Sequence, residues 1–421
     1  MEIKELERKY IINTYNRRPE ATVLVKRGEG VYVWDEAGNR YLDFVSGLAV
    51  NSLGHCHPAV VEAVCRQAAK LLHASNLYYT EPQVRLAEML VNHSVADKVF
   101  FCNSGAEANE AAIKLARKYG KHKRGADAHE IITAERSFHG RTLAAVTATG
   151  QPKYHQGFEP LVSGFRYGRF NDLASFARLV NEKTCAILVE PLQGEGGVYP
   201  ADAEFLAGLR RLCDGNDLLL LFDEVQCGIG RTGRLFAYEH FAVEPDAFTL
   251  AKALGGGLPI GALCVRGEAA DCFVPGDHAS TFGGNPVACA AALAALDVVQ
   301  GNGFLEHVGK MGDYLMTELR RLQPPTVSEV RGLGLMVGME VTVDGGAVVA
   351  FCQERGLLLN CIGGRVLRFL PPLIVEQEHL DAAVTLLAQA LQAAGQEKPT
   401  RTENVTVTEG RLSNSRLEEC G

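Results

Sequence analysis

Lys252 lies within Leu250-Ala251-Lys252-Ala253-Leu254, just before Gly255-Gly256-Gly257. An amine set among apolar residues is desolvated, which lowers its pKa and makes it a nucleophile toward carbonyl carbons. The glycines let backbone approach a bulky ligand closely. A lysine snorkelling from a strand end is the alternative reading. Upstream, Asp223-Glu224-Val225-Gln226 closes the most apolar segment of the chain, Leu218–Phe222. A carboxylate leaving a buried strand needs a cationic or hydrogen-bonding partner to stay charged. A protonated pyridine nitrogen is one such partner, and the pairing makes that ring a better electron sink. Arg231 is the other candidate.

Two further segments could hold an anion. Asn103-Ser104-Gly105-Ala106-Glu107-Ala108-Asn109 places small residues ahead of a helix expected over 107–118, so free N–H groups and the helix dipole face outward. It is no Walker loop, because no Gly-Lys-Ser/Thr follows, and a plain capped helix start is the simpler reading. Ser280-Thr281-Phe282-Gly283-Gly284-Asn285-Pro286 has the same character and the same alternative. His55-Cys56-His57 reads as a turn rather than a metal site, since adjacent side chains rarely converge on one ion.

The elements that must position these groups follow from periodicity. Gly28–Phe44 alternates apolar and polar residues around Glu36-Ala37-Gly38-Asn39, the pattern of a β-hairpin. From about Pro58, helical stretches alternate with short apolar runs, the clearest being Lys98–Cys102, Cys185–Val189 and Leu218–Phe222. Such runs fit strands buried on both faces of a largely parallel sheet, so the fold class is α/β. The candidate segments fall at strand ends, where open α/β folds bind their ligands. After an Ala-rich helix from Pro286 to about Val299, Val327–Val341 and Leu357–Phe369 suggest strands of a smaller α+β unit. The expected division is an N-terminal segment, 1–50, joining the small domain; a large domain, 51–299; a small domain, 300–396; and a disordered tail, 397–421.

Composition narrows the class. The 421 residues are 47% hydrophobic and 22% charged, with a net charge of −8, which disfavours binding through nucleic-acid phosphates or a polybasic membrane surface. No run approaches about 20 apolar residues. The mixed-charge start, Met1–Lys9, fits neither a signal peptide nor a transit peptide. The 12 cysteines, without a Cys-x-x-Cys pair, read as reduced thiols of a cytoplasmic protein.

SFHGRT (Ser137–Thr142), EPLQGEGGV (Glu190–Val198), LFDEVQCGIGRTG (Leu221–Gly233), LAKALGGGLPIGA and STFGGNP resemble the signature segments of the subgroup-III aminotransferases. These are fold-type I pyridoxal-phosphate enzymes, and the likeness is greatest to the branch acting on N-acetylornithine, from about Tyr15 to Leu391. The resemblance implies a homodimer with active sites at its interface. Lys252 would carry the cofactor and act as the catalytic base. Asp223 would pair with the pyridine nitrogen, Gln226 would bond the phenolic oxygen and Phe138 would stack on the ring. Gly105 and Ala106 would bind the phosphate, joined by Thr281 of the neighbouring subunit. Arg141 and Ser280 match substrate positions. Arg368 matches the clamp for the α-carboxylate of glutamate and 2-oxoglutarate, and Glu195 matches the acid that masks it. A fork-shaped guanidinium suits that task.

The implied reaction moves the δ-amino group of N-acetylornithine to 2-oxoglutarate, in arginine biosynthesis. The ornithine branch carries a tyrosine at the place of Leu48, and an apolar residue there favours an N-acylated substrate. Relatives using ornithine, succinylornithine, succinyl-diaminopimelate or 4-aminobutyrate share most of these residues. A pyridoxal-phosphate aminomutase or decarboxylase, or a non-catalytic binding protein, are the alternatives from other classes.

Overall fold

The computed structural model describes residues 2–15, 17, 22–322 and 325–396, so the tail expected over 397–421 lies outside the described residues. Near the N-terminus, β1 (Val25–Glu29), β2 (Tyr32–Asp35) and β3 (Arg40–Asp43) form an antiparallel meander. Its second turn is the one expected at 36–39. Asp35 Oδ1 closes it by accepting from the Ala37 and Asn39 N–H groups, both at 2.9 Å.

The large sheet comes next in the chain. Its strands are β4 (Lys98–Cys102), β5 (Glu130–Ala134), β6 (Phe165–Gly168) and β7 (Thr184–Val189). A small ribbon of β8 (Leu192–Gln193) and β9 (Tyr199–Pro200) precedes β10 (Leu219–Asp223), β11 (Ala247–Leu250) and β12 (Gly261–Val265). The spatial order is β4-β12-β11-β10-β7-β5-β6, and only β12 runs against the rest. Every residue of β7 and of β10 is buried, as continuous apolar runs require in a sheet covered on both faces. The parallel strands all end on one edge, and the site forms there.

The C-terminal unit holds β13 (Val327–Leu333), β14 (Met336–Val341), β15 (Leu357–Leu358), β16 (Asn360–Ile362) and β17 (Val366–Phe369). Four of them form an antiparallel sheet, β13-β14-β17-β16. The expected run Val327–Val341 is two strands, because Gly334 adopts φ 53° and turns the chain. Strand β15 leaves this sheet and pairs with β3. Val31, Leu42 and Phe44 from the N-terminal segment share a core with Val337, Leu367 and Phe369. Burying Phe44 alone contributes about 1.5–3 kcal/mol. Among the described residues no single helix is long and apolar enough to cross a membrane.

Candidate active site

The carboxyl ends of the parallel strands open onto a cavity of ≈ 460 Å³, within the range of small-molecule sites. Lys252 is the one lysine on its wall among the described residues. It follows β11 and opens a 3₁₀ turn, Lys252–Gly255, with φ 45°. That left-handed backbone is unfavourable for a side chain with a Cβ and marks a position held by its surroundings. Burial lowers the Lys252 pKa and the charge of Arg368 adds to this, while Glu195, Asp223 and Glu190 oppose it. Lys252 keeps part of its surface and lines the cavity.

Asp223 ends β10, as the sequence suggests, but Arg231 is not its partner. The Asp223 Oδ2 accepts from Asn109 Nδ2 at 2.7 Å and bonds His139 Nδ1 at 2.8 Å, and Oδ1 accepts from the Val225 N–H at 3.0 Å. Arg231 is fully buried elsewhere and donates to Leu335 O, Pro371 O and Ser52 Oγ. The carboxylate is therefore steadied by an amide, an imidazole and a backbone N–H, which leaves its charge for something in the cavity.

The helix Gly105–Arg124 starts at the same wall and runs longer than the expected 107–118. Ser104 caps it, its Oγ accepting from the Glu107 N–H at 3.2 Å. Gly105 and Ala106 occupy the first turn, where N–H groups have no intrahelical acceptor. The site is tightly shaped: a Cβ on Gly105 would stand 2.6 Å from Val225 Cγ1, and one on Gly140 would stand 2.7 Å from Ala106 Cβ.

Phe138 and Arg141 come from the segment after β5. The Arg141 guanidinium lies 4.1 Å from the Tyr154 ring centre and 5.4 Å from that of Phe138. Gln226 and Glu195 also line the cavity. Arg368, on β17, stands behind them. Its NH1 donates to Glu195 Oε1 at 2.6 Å and to Gln226 Oε1 at 3.2 Å, and NH2 donates to Asn360 Oδ1 at 2.9 Å. Burial pushes the Glu195 carboxyl up, but Arg368 and Lys252 outweigh it and hold the group below the usual range.

Eight of the expected residues thus share one cavity: Gly105, Ala106, Phe138, Arg141, Glu195, Asp223, Gln226 and Lys252. Arg368 reaches it through Glu195. Thr281 does not line this cavity; it is exposed on a separate loop. Ser280 is also off the cavity wall, and its Oγ accepts from Asn103 Nδ2 at 3.1 Å and from the Gly283 N–H at 3.0 Å. Leu48 is 40% exposed on a left-handed turn, φ 64°, and Val50 lines the cavity in its stead. His55 bonds Asp43 Oδ2 at 2.8 Å.

Sequence reasoning missed Glu190, His139 and Asn109. Glu190 follows β7, and its two oxygens accept from the Phe138 N–H at 3.0 Å and the Gly194 N–H at 3.2 Å. Burial, then the charge of Asp223, raises its carboxyl well above the usual range. The signal was present: Glu190 follows the apolar run Cys185–Val189 just as Asp223 follows Leu218–Phe222.

Fold and site together define an α/β enzyme built around a desolvated lysine amine, a sequestered carboxylate and a carboxylate-binding arginine. The chain belongs to the aminotransferase class-III family, which matches residues 14–391. It is 55% identical over 388 residues to the acetylornithine aminotransferase of Caldanaerobacter subterraneus subsp. tengcongensis, covering 91% of this chain and 98% of that one. To the acetylornithine aminotransferase of Methanocaldococcus jannaschii it is 51% identical over 385 residues, covering 91% and 96%. Among solved structures, the acetylornithine aminotransferase from Elizabethkingia anophelis superposes with TM-score 0.82 at 36% identity, covering 92% and 98%. The ornithine aminotransferase from Toxoplasma gondii ME49 gives TM-score 0.90 at 34% identity, covering 94% and 97%.

Proposed function

We propose that this chain transfers the δ-amino group of N-acetylornithine to 2-oxoglutarate, with pyridoxal phosphate as cofactor, as a cytoplasmic homodimer serving arginine biosynthesis. The observation that carries the reading is the Glu195–Arg368 pair beside Lys252. A site that alternates two substrates needs one carboxylate clamp that can be engaged or neutralised, and an arginine already paired with a movable acid meets that need. The same reading divides the chain into the N-terminal segment, 1–50, the large domain to 299 and the small domain to 396.

The cavity's donor set fits the cofactor. Gly105 and Ala106 offer helix N–H groups to the phosphate, Phe138 offers a ring face, and Asp223 offers an anion to the pyridinium. When bound, pyridoxal phosphate supplies an aldehyde that carries the amino group and a ring that accepts electrons. Lys252 Nζ takes the proton from the substrate's amine-bearing carbon. Burial keeps a larger share of that amine neutral, as a base must be. Arg141, stacked on Tyr154, receives the carboxylate of the donor. Arg368 receives the α-carboxylate of glutamate or 2-oxoglutarate once Glu195 turns aside, and Ser280 bears on substrate through Asn103, which lines the cavity and donates to its Oγ.

A panel of amino donors assayed with 2-oxoglutarate tests the substrate. N-acetylornithine is expected to exceed free ornithine by about ten- to a hundredfold in kcat/KM, because the apolar stretch around Leu48, which puts Val50 on the cavity wall, meets an acylated amine at less cost than an ammonium. Leu48→Tyr should narrow the gap. Equal use of ornithine by the unmodified enzyme would remove N-acetylornithine from the reading and leave the aminotransferase.

Thr281 supports the dimer. It stands exposed beside Phe282, itself 60% exposed, and near Leu77, Tyr78 and Tyr79, at 86%, 71% and 100%. Large apolar groups gathered on one surface mark an interface. Thr281→Ala is expected to weaken cofactor affinity about three- to tenfold, through one lost hydrogen bond to the phosphate across that interface. Titrating apoenzyme with cofactor measures it, and an active monomer in sedimentation would remove the basis for the effect.

A further inference from the structure

Arg331 is a second buried arginine on the sheet that carries Arg368, and the reaction proposed above gives it no task. The strand pairings put Arg331, Gly338, Arg368 and Asn360 in one cross-strand row. Residues directly opposite one another share a face of the sheet. The other face sends Val330, Val337, Met339, Leu367 and Phe369 toward the C-terminal core. The row of two arginines therefore faces the β8–β9 ribbon, whose connecting loop bears Glu195.

Each arginine holds that loop at a different point. Arg368 takes the Glu195 carboxylate. Arg331 donates from Nε and NH2 to a single atom, the carbonyl oxygen of Gly197, at 3.0 and 2.8 Å. Its NH1 pairs with Glu329 at 2.6 Å and Glu340 at 2.8 Å, neighbours in the adjacent row, so its charge is balanced within the sheet. Its guanidinium also lies 3.8 Å from the Tyr199 ring centre. Between the two arginines, Gly338 leaves room for the loop to lie on the sheet: a Cβ there would stand 2.8 Å from Val198 Cβ.

We propose that Arg331 is a positioning residue for Glu195: by pinning the Gly197 carbonyl over Gly338, it fixes the backbone from which Glu195 reaches Arg368. Exchange between masked and open Arg368 is then a motion of one side chain. The inference rests on the reading of Glu195 and Arg368 as the substrate switch. Without the pin, the loop must be re-ordered each time the pair forms, so the pair weakens and Arg368 stands open more of the time. That favours dicarboxylates over the N-acylated donor.

The test uses holoenzyme carrying Arg331→Met, Gly338→Ala or Glu195→Gln. It measures glutarate, a dicarboxylate with no amine to transfer, by calorimetric titration. It also measures kcat/KM for the glutamate and N-acetylornithine half-reactions. Arg331→Met is expected to tighten glutarate about three- to tenfold and to shift the half-reaction ratio toward glutamate by a similar factor. Gly338→Ala should act in the same direction, and Glu195→Gln more strongly. If Glu195→Gln shifts both readouts while folded Arg331→Met and Gly338→Ala shift neither, Arg331 does not act through Glu195 and the proposal is overturned. If Glu195→Gln itself shifts neither, the switch reading falls and this inference with it. Should Arg331→Met not fold, Gly338→Ala decides.

Discussion

Lys252→Ala is expected to lower turnover about 10⁴-fold while leaving the fold intact and cofactor uptake measurable. Among the described residues, no other lysine lines the cavity. The cavity's other ionisable groups are Glu190, Glu195, Asp223, Cys227, His139 and Arg141; burial raises the Cys227 thiol well above its usual range, and His139 is tied through Nδ1 to Asp223. Glu195 is held below the usual carboxylate range by Arg368 and Lys252, Asp223 bonds Asn109 and His139, and Glu190 accepts two backbone N–H groups. The guanidinium of Arg141 carries donors and no acceptor. The contacts assigned to phosphate and ring come from Gly105, Ala106, Phe138 and Asp223, so the variant should still bind pyridoxal phosphate. In the unmodified enzyme, borohydride should fix the cofactor's mass onto the peptide that contains Lys252. Lys252→Arg should be as inactive as Lys252→Ala, because a retained positive charge does not supply a base. Label on another lysine, or a Lys252→Ala rate within about tenfold of the original, would refute the assignment.

How far the sequence discloses this site depends on the range of the interaction concerned. Strands β7 and β10 were legible because burial on both faces leaves an unbroken apolar run, β4 showed a similar run although it lies at the sheet edge with Lys98 exposed, and the groups at their ends could be read as ligands. The helix Pro286–Val299 was legible from its first residue, with its end expected at about Val299, since proline opens it and alanines fill it. Partners were not legible where they come from distant segments. Arg231 lies eight positions after Asp223 yet points to Leu335, Pro371 and Ser52, while Asn109 and His139 take the aspartate from 114 and 84 positions away. The core that Phe44 shares with Phe369 is equally non-local. No periodicity places Arg331 opposite Gly338 and Gly338 opposite Arg368; only the register of three strands does so.

Arg368→Lys should separate the two halves of the reaction. The guanidinium of Arg368 is 1% exposed and spreads its donors over Glu195, Gln226 and Asn360. A lysine keeps the charge but loses the planar fork, so it cannot hold a carboxylate through two parallel bonds. The half-reaction with 2-oxoglutarate, whose α-carboxylate depends on this residue, is expected to lose about 10²- to 10³-fold in kcat/KM, the cost of a charged, buried hydrogen-bonded contact. The half-reaction with N-acetylornithine needs Arg368 only as the partner that keeps Glu195 in place, and should lose about tenfold or less. Arg368→Met is the harsher change, because it leaves the partly buried Glu195 carboxylate without its cation, at about 1–3 kcal/mol of stability. Pairing Arg368→Met with Glu195→Leu removes the stranded charge, so stability should return while the 2-oxoglutarate half-reaction stays lost. The pH dependence has a definite sign. Glu195 is held below its ordinary value of 4.5, so the pair's contribution is complete above that value and fades as pH falls below it. Denaturation of the unmodified and Glu195→Gln proteins should therefore differ at neutral pH and converge in acid. Equal losses in both half-reactions for Arg368→Lys would mean that Arg368 supports the architecture of the site and does not distinguish its two substrates.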